Sequence, residues 1–143
     1  MDGTPVDTEP LWLSSETALA ARYGYNWKTE DQANCLGGPL DRVGQYIFSK
    51  VGEVESPEYF TDTLIDLVVQ AVSQSVPMMD GAAELLQFCE EEQIPIALVS
   101  ASPRILVDAV LRGQGKHRFE VSISCDDVTR VKPDPQGYHM AAD

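Results

Sequence analysis

Ile94-Pro95-Ile96-Ala97-Leu98-Val99 is the stretch that most narrows what this chain can become. It is short and almost continuously apolar, and Ser100-Ala101-Ser102 ends it, as expected of a strand buried on both faces. Its flanks are helical. Asp80 can cap a helix from Gly81 to Glu92 that turns Leu85, Leu86 and Cys89 toward a core. Ser102 with Pro103 opens another helix, through Arg112, which Gly113 and Gly115 break. Val121-Ser122-Ile123-Ser124 alternates as a second strand, a loop carries Asp126, Asp127 and Lys132-Pro133-Asp134-Pro135, and a last helix begins near Gln136. Helix, strand, helix, strand, helix in this order implies an α/β unit with parallel strands.

Residues near 11–75 read as helices joined by loops, with no convincing strand. Leu11, Ser15, Ala18 and Arg22 fall on neighbouring rows of a helix that Gly24 stops. A loop-rich segment through Gly37-Gly38-Pro39 follows, then a helix from Leu40 to Lys50. Ser56 as N-cap, Pro57 at the first helical position and Glu58 beside it start a third helix. Its core face carries Phe60, Leu64, Leu67, Val68, Ala71 and Val72.

Charge and composition exclude several function classes. A chain of 143 residues, 43% hydrophobic, can bury one sizeable core. Its 23 acidic against 10 basic residues give a formal charge of −13, a field that repels a nucleic-acid backbone. No polybasic run suits an anionic membrane, and no window approaches the roughly 20 apolar residues of a membrane span. The acidic start has no apolar signal-peptide core, so the expectation is a cytoplasmic protein. Cys35, Cys89 and Cys125 stand far apart, as reduced thiols do, and His117 and His139 are isolated. Nothing in this pattern points to a transition metal.

Three segments can carry chemistry. Asp2-Gly3-Thr4-Pro5-Val6-Asp7-Thr8-Glu9-Pro10 reads as turn chemistry, and equally as the second half of an acidic catalytic loop. Ser100 lies just past a strand's C-terminal end and near a helix N-terminus, where free N–H groups attract anions. The competing role for Ser100 and Ser102 is capping that helix, and Ser102 is read as the cap. Lys132, followed by Pro133-Asp134-Pro135, reads by itself as a solvated turn lysine.

Together, the Asp2–Pro10 stretch, Val99-Ser100-Ala101-Ser102-Pro103-Arg104 and Lys132-Pro133-Asp134-Pro135 resemble the haloacid dehalogenase-like hydrolase superfamily. The branch is that of sugar-phosphate phosphatases and β-phosphoglucomutase-like proteins. The resemblance implies a Rossmann-like parallel-sheet core over residues 1–12 and 77–143. This core would lack its first strand and C-terminal part, with a small helical cap inserted at 13–76. It implies a magnesium-dependent phosphatase acting on a small phosphorylated metabolite, a sugar phosphate, through an aspartyl-phosphate. Asp2 matches the general acid/base and would offer its backbone carbonyl to Mg2+. Ser100 and Lys132 match the phosphate-binding hydroxyl and lysine, with Gly3, Thr4 and Ala101 around the phosphate. Arg42 and Lys50 are the cap's candidates for substrate contact.

The chain also departs from the family pattern. The nucleophilic aspartate would come immediately before Met1, and no Gly-Asp-Ser or Glu-Asp-Ser fourth motif occurs before Asp143. A polypeptide of these 143 residues is therefore expected to show little or no phosphatase activity. Asp126-Asp127 precedes Lys132 and reads as a loop or helix-cap feature. Pro5 replaces an aliphatic residue, which fixes φ, removes an N–H and pushes Thr4 from the helical region. Trp12 stands where the mutases of this branch carry a hinge histidine, favouring phosphatase over mutase. The alternatives are a β-phosphoglucomutase-like sugar phosphomutase and a truncated, non-catalytic binding module.

Overall fold

The computed structural model describes residues 1–37, 39–115 and 118–143. Gly38 of the glycine-rich loop and His117 lie outside the described residues. The chain folds as two compact units, Pro10–Gln70 and Met1–Glu9 with Ala71–Asp143.

The first unit is helical. Helix α1 (Glu9–Ala21) buries Leu19 and Ala20 and stops before Gly24, whose φ of 75° requires the freedom of glycine. Helix α2 (Thr29–Cys35) falls within the segment read as loop. Its seven residues, TEDQANC, carry no apolar period, but Asp31 at the third position accepts the Lys28 N–H at 2.9 Å and secures the start. Helix α3 (Leu40–Lys50) has the expected bounds and buries Val43, Gly44 and Ile47. Helix α4 (Pro57–Gln74) begins where the Ser56 hydroxyl accepts the Tyr59 N–H at 3.1 Å. Phe60, Leu64 and Val68, four residues apart, are fully buried, and Tyr23 meets Phe60 edge-on with ring centroids 5.2 Å apart. Gly44 permits the close crossing of α3 and α4. A Cβ there would lie 2.0 Å from Thr61 Oγ1 and 2.5 Å from the Pro57 carbonyl oxygen.

The second unit is α/β. Residues 5–7 pair with residues 77–79: Val6 bridges Met78 antiparallel, the Asp7 N–H donates to Pro77 O and the Met79 N–H to Pro5 O. At Pro5 the pairing group is the carbonyl, so the missing N–H costs no ladder bond. Helix α5 (Ala82–Glu91) is entered through Gly81 at φ 78°, and Asp80 makes no side-chain cap, contrary to expectation. Strands β1 (Ala97–Val99) and β2 (Val121–Ile123) pair parallel, in the register Ala97 with Val121, Leu98 with Ser122 and Val99 with Ile123. Helix α6 (Arg104–Gln114) runs through Gly113, which was expected to break it, and ends at Gly115, where φ is 90°. The Gln114 amide donates to Val76 O at 3.0 Å and holds that last turn. A 3-10 turn at Cys125–Asp127 and helix α7 (Gln136–Ala142) complete the unit. Leu98, Leu106, Val107, Val110, Leu111 and Ile123 form its core.

Strand β1 departs from the expectation of burial on both faces. Leu98 is buried, Val99 half-buried and Ala97 exposed, while Ile94 and Pro95 are exposed outside the strand. Among the described residues the sheet has two strands, so β1 has a partner on one edge only. The side that β2 does not cover faces a cleft of about 690 Å³ walled by Met1, Pro5, Leu85, Phe119 and Tyr138. Leu85, expected in the core, is therefore 62% exposed, Cys89 is half-buried and Leu86 alone of the three is buried. No helix among the described residues is long and apolar enough to cross a membrane.

Candidate active site

Three segments far apart in sequence meet at the C-terminal end of β1. Ser100 leaves the strand with its N–H donating to Ile123 O at 2.8 Å, so the sheet fixes its position, and it is buried. Its Oγ accepts the Ser102 N–H at 3.1 Å. That bond uses a lone pair and leaves the Ser100 O–H free to donate to an incoming oxygen. Lys132 reaches from the loop before α7 and donates its ammonium to Val99 O at 3.1 Å, with the Tyr138 ring centroid 5.8 Å away. No carboxylate forms an ion pair with Lys132 among the described residues. Its ammonium is thus held at the strand end by a carbonyl and beside an aromatic face.

Asp2 closes the arrangement. Its Oδ1 accepts the Thr8 hydroxyl at 2.5 Å and its Oδ2 the Ser102 hydroxyl at 2.8 Å. Gly3, at φ 62°, turns the chain back so that its N–H meets Val6 O at 2.8 Å, and the Thr4 N–H meets Met1 O at 3.2 Å. Met1, Thr4 and Lys132 line one wall of the cleft beside β1. Gly3, Thr4 and Ala101 are exposed beside these groups.

Two residues of this cluster differ from the sequence expectation. Ser102, the expected cap of α6, makes no cap bond; Pro103 takes the N-cap position and Asp126 Oδ2 accepts the Arg104 N–H at 2.7 Å. Thr8 is fully buried and directed at Asp2, in a stretch where it reads as one more polar turn residue. The signal available was its i+6 spacing from Asp2 across a loop that closes on itself.

A polar clasp holds the segment behind Ser100 and Ser102. The Arg104 guanidinium donates to Ser122 Oγ at 2.8 Å and Ser122 O at 2.9 Å, and pairs with Asp127. The Ser124 N–H, followed by the Ser124 hydroxyl and Arg104, holds the Asp127 carboxyl down at about 2. Asp126-Asp127 is thus a capping feature. A carboxyl held lower when folded contributes stability that is complete above its unfolded value of 3.8 and is lost as pH falls toward 2. Thermal melts should therefore fall between pH 4 and pH 2, and Asp127→Asn should flatten that decline. Equal slopes for the two proteins would show that the clasp does not titrate in this range.

Arg42 and Lys50 lie in the helical unit. Arg42 Nη2 donates to Asn34 O at 2.8 Å and lines a groove of about 380 Å³ with Asp41, Gln45 and Thr61. Lys50 is engaged internally, 3.6 Å from the buried Asp31 carboxylate and 5.0 Å over the Tyr46 ring. Burial opposes the charge of Asp31, but the Lys28 N–H, the Tyr46 and Tyr25 hydroxyls and Lys50 outweigh it, so its carboxyl sits below its ordinary value.

For magnesium, the described residues supply one candidate ligand and not a site. No group of three His, Cys, Asp or Glu side chains among them is arranged to hold a metal ion. Both carboxylate oxygens of Asp2 are engaged by hydroxyls. Its backbone carbonyl suits an ion that takes one or two protein ligands and fills the rest with water and phosphate oxygens.

The family model described as haloacid dehalogenase-like hydrolase matches residues 1–143. The chain belongs to the haloacid dehalogenase-like hydrolases. Within that family it is 30% identical over 140 residues to the phosphorylated carbohydrates phosphatase of Thermotoga maritima, covering 96% of this chain and 64% of the relative. It is 26% identical over 141 residues to hexitol phosphatase B of Escherichia coli, again covering 96% of this chain and 64% of the relative. A crystal structure of a candidate β-phosphoglucomutase from Thermotoga maritima superposes with a TM-score of 0.82 at 25% identity, over 99% of this chain and 66% of that one. The chain thus spans about two thirds of the length of these haloacid dehalogenase-like relatives, in their sugar-phosphatase-like branch.

Proposed function

We propose that the full-length protein is a phosphatase that removes the phosphoryl group from a phosphorylated carbohydrate. The meeting of Asp2, Ser100 and Lys132 at one end of β1 carries this reading. Lys132 and the Ser100 hydroxyl would bind the phosphoryl oxygens, with the Ala101 N–H and the Gly3-Thr4 turn beside them. Hydrogen-bond donors and charge preset at that point stabilise the charge that develops during transfer. Asp2 would protonate the leaving oxygen and then take a proton from the hydrolytic water. The attacking carboxylate, by resemblance, belongs one residue before Met1. Magnesium is the expected cofactor, supplying charge neutralisation at the phosphate, with the Asp2 carbonyl among its ligands. The helical unit, 10–70, would act as the cap that excludes water, with Arg42 a candidate substrate contact.

The test is phosphate release by the full-length protein from a panel of phosphorylated carbohydrates and nucleotides, with magnesium, after chelation and after magnesium is restored. The reading expects release from phosphorylated carbohydrates, loss on chelation and recovery with magnesium. Activity confined to nucleotides would contradict it. The likeness to a candidate β-phosphoglucomutase keeps a phosphomutase in play. Transfer of the phosphoryl group between two hydroxyls of one sugar, with no phosphate released, would favour that reading.

A further inference from the structure

We propose that Ser102 is a positioning residue for the acid/base carboxylate of Asp2 and couples it to the phosphate-binding serine. The inference rests on the phosphatase reading above. Ser102 is free of the duty its sequence position suggests, since Asp126 and Pro103 serve the start of α6. Its backbone is pinned on both sides instead: its N–H donates to Ser100 Oγ at 3.1 Å, and its carbonyl accepts the Cys125 N–H at 3.2 Å. With the backbone fixed, the half-buried hydroxyl has a set direction, and it donates to Asp2 Oδ2 at 2.8 Å. One residue therefore bonds to the phosphate-handling hydroxyl through its N–H and to the proton-transfer carboxylate through its O–H.

Thr8 holds the other oxygen, Oδ1, and is fully buried, whereas Ser102 is half-buried. Without the Ser102 bond, the carboxylate can turn about the remaining Thr8 contact and lose its set direction. Proton transfer tolerates little misplacement, because a candidate acid has to lie within hydrogen-bond reach of the oxygen it serves. Esters whose leaving oxygen needs a proton should feel this loss; esters whose leaving group departs as a stable anion should not.

The experiment compares kcat/KM of the full-length protein for a phosphorylated hexitol, an alkyl ester, and for p-nitrophenyl phosphate, whose leaving group needs no proton. Ser102→Ala should lower the alkyl-ester value by about tenfold and the aryl value by less than about twofold. Ser102→Thr, which keeps the hydroxyl, should restore most of the alkyl-ester value. Thermal melts of both variants separate this loss from unfolding. Equal losses on the two esters, no loss on either, or failure of threonine to rescue would overturn the proposal while the phosphatase reading stands. Failure of the wild-type protein to release phosphate from either ester would overturn that reading and this proposal together.

Discussion

Asp2→Asn in the full-length protein should lower kcat/KM for a phosphorylated carbohydrate by about 10²–10⁴-fold, the usual worth of a positioned acid/base. Asparagine keeps the shape of aspartate and one acceptor oxygen, so one of the two hydroxyl bonds from Thr8 and Ser102 survives unchanged. The other hydroxyl can rotate to accept from the new amide. The fold should therefore tolerate the change, and the melting temperature should stay within about 4 °C of wild type, the shift that roughly 1 kcal/mol produces in a domain of this size. What the variant loses is the proton. The loss should be smaller for p-nitrophenyl phosphate, measured by the same steady-state assay. Full activity of Asp2→Asn on the alkyl ester would remove Asp2 from the mechanism.

Gly44→Val carries the largest expected effect on stability, about 3 kcal/mol or more, read by urea or thermal unfolding. Alanine at an ordinary helix position gains roughly 1 kcal/mol over glycine. Here the clash wins, because the first added carbon already meets Thr61 Oγ1 at 2.0 Å and the Pro57 carbonyl at 2.5 Å. A threonine side chain could rotate away; the backbone of α4's first turn cannot move without disturbing the buried Phe60 and Leu64 that follow it. Gly44→Ala should consequently also destabilise, and adding Thr61→Ala should restore only part of the loss. Complete rescue would mean that the side chain alone sets the crossing, and an unchanged melting curve for Gly44→Val would mean that the close crossing is absent.

The parts of the fold legible in the sequence are those set by local chemistry. Helix α3 has its expected bounds, and α4 starts at the Ser56-Pro57 signal because that cap satisfies orphan N–H groups within a few residues. The parallel pairing of β1 and β2 follows from the helix between them. Helix α2 was illegible because what secures its start is a buried polar residue: Asp31 gathers the Tyr25 and Tyr46 hydroxyls and the Lys28 N–H, none of which produces an apolar period. The β1 expectation overshot because an apolar run reports what a segment can bury, while actual burial depends on which partners are present. Ile94 and Pro95 stay exposed for that reason. Asp2, Ser100 and Lys132 could be singled out as candidates because each belongs to a recognisable segment, and the structure brings those segments together. Thr8 and Ser102 could not, because what marks them is a contact to Asp2 that spans 100 residues in one case and a closed loop in the other.

Lys132 and Ser100 are proposed to hold a phosphate at the end of β1. The deciding measurement is the equilibrium affinity of the full-length protein for inorganic phosphate, by calorimetry, for wild type and Lys132→Ala. Loss of one charge-assisted hydrogen bond should weaken binding by about ten- to a hundredfold, with the fold intact by melting. Equal affinities for the two folded proteins would contradict the account and place the phosphate elsewhere.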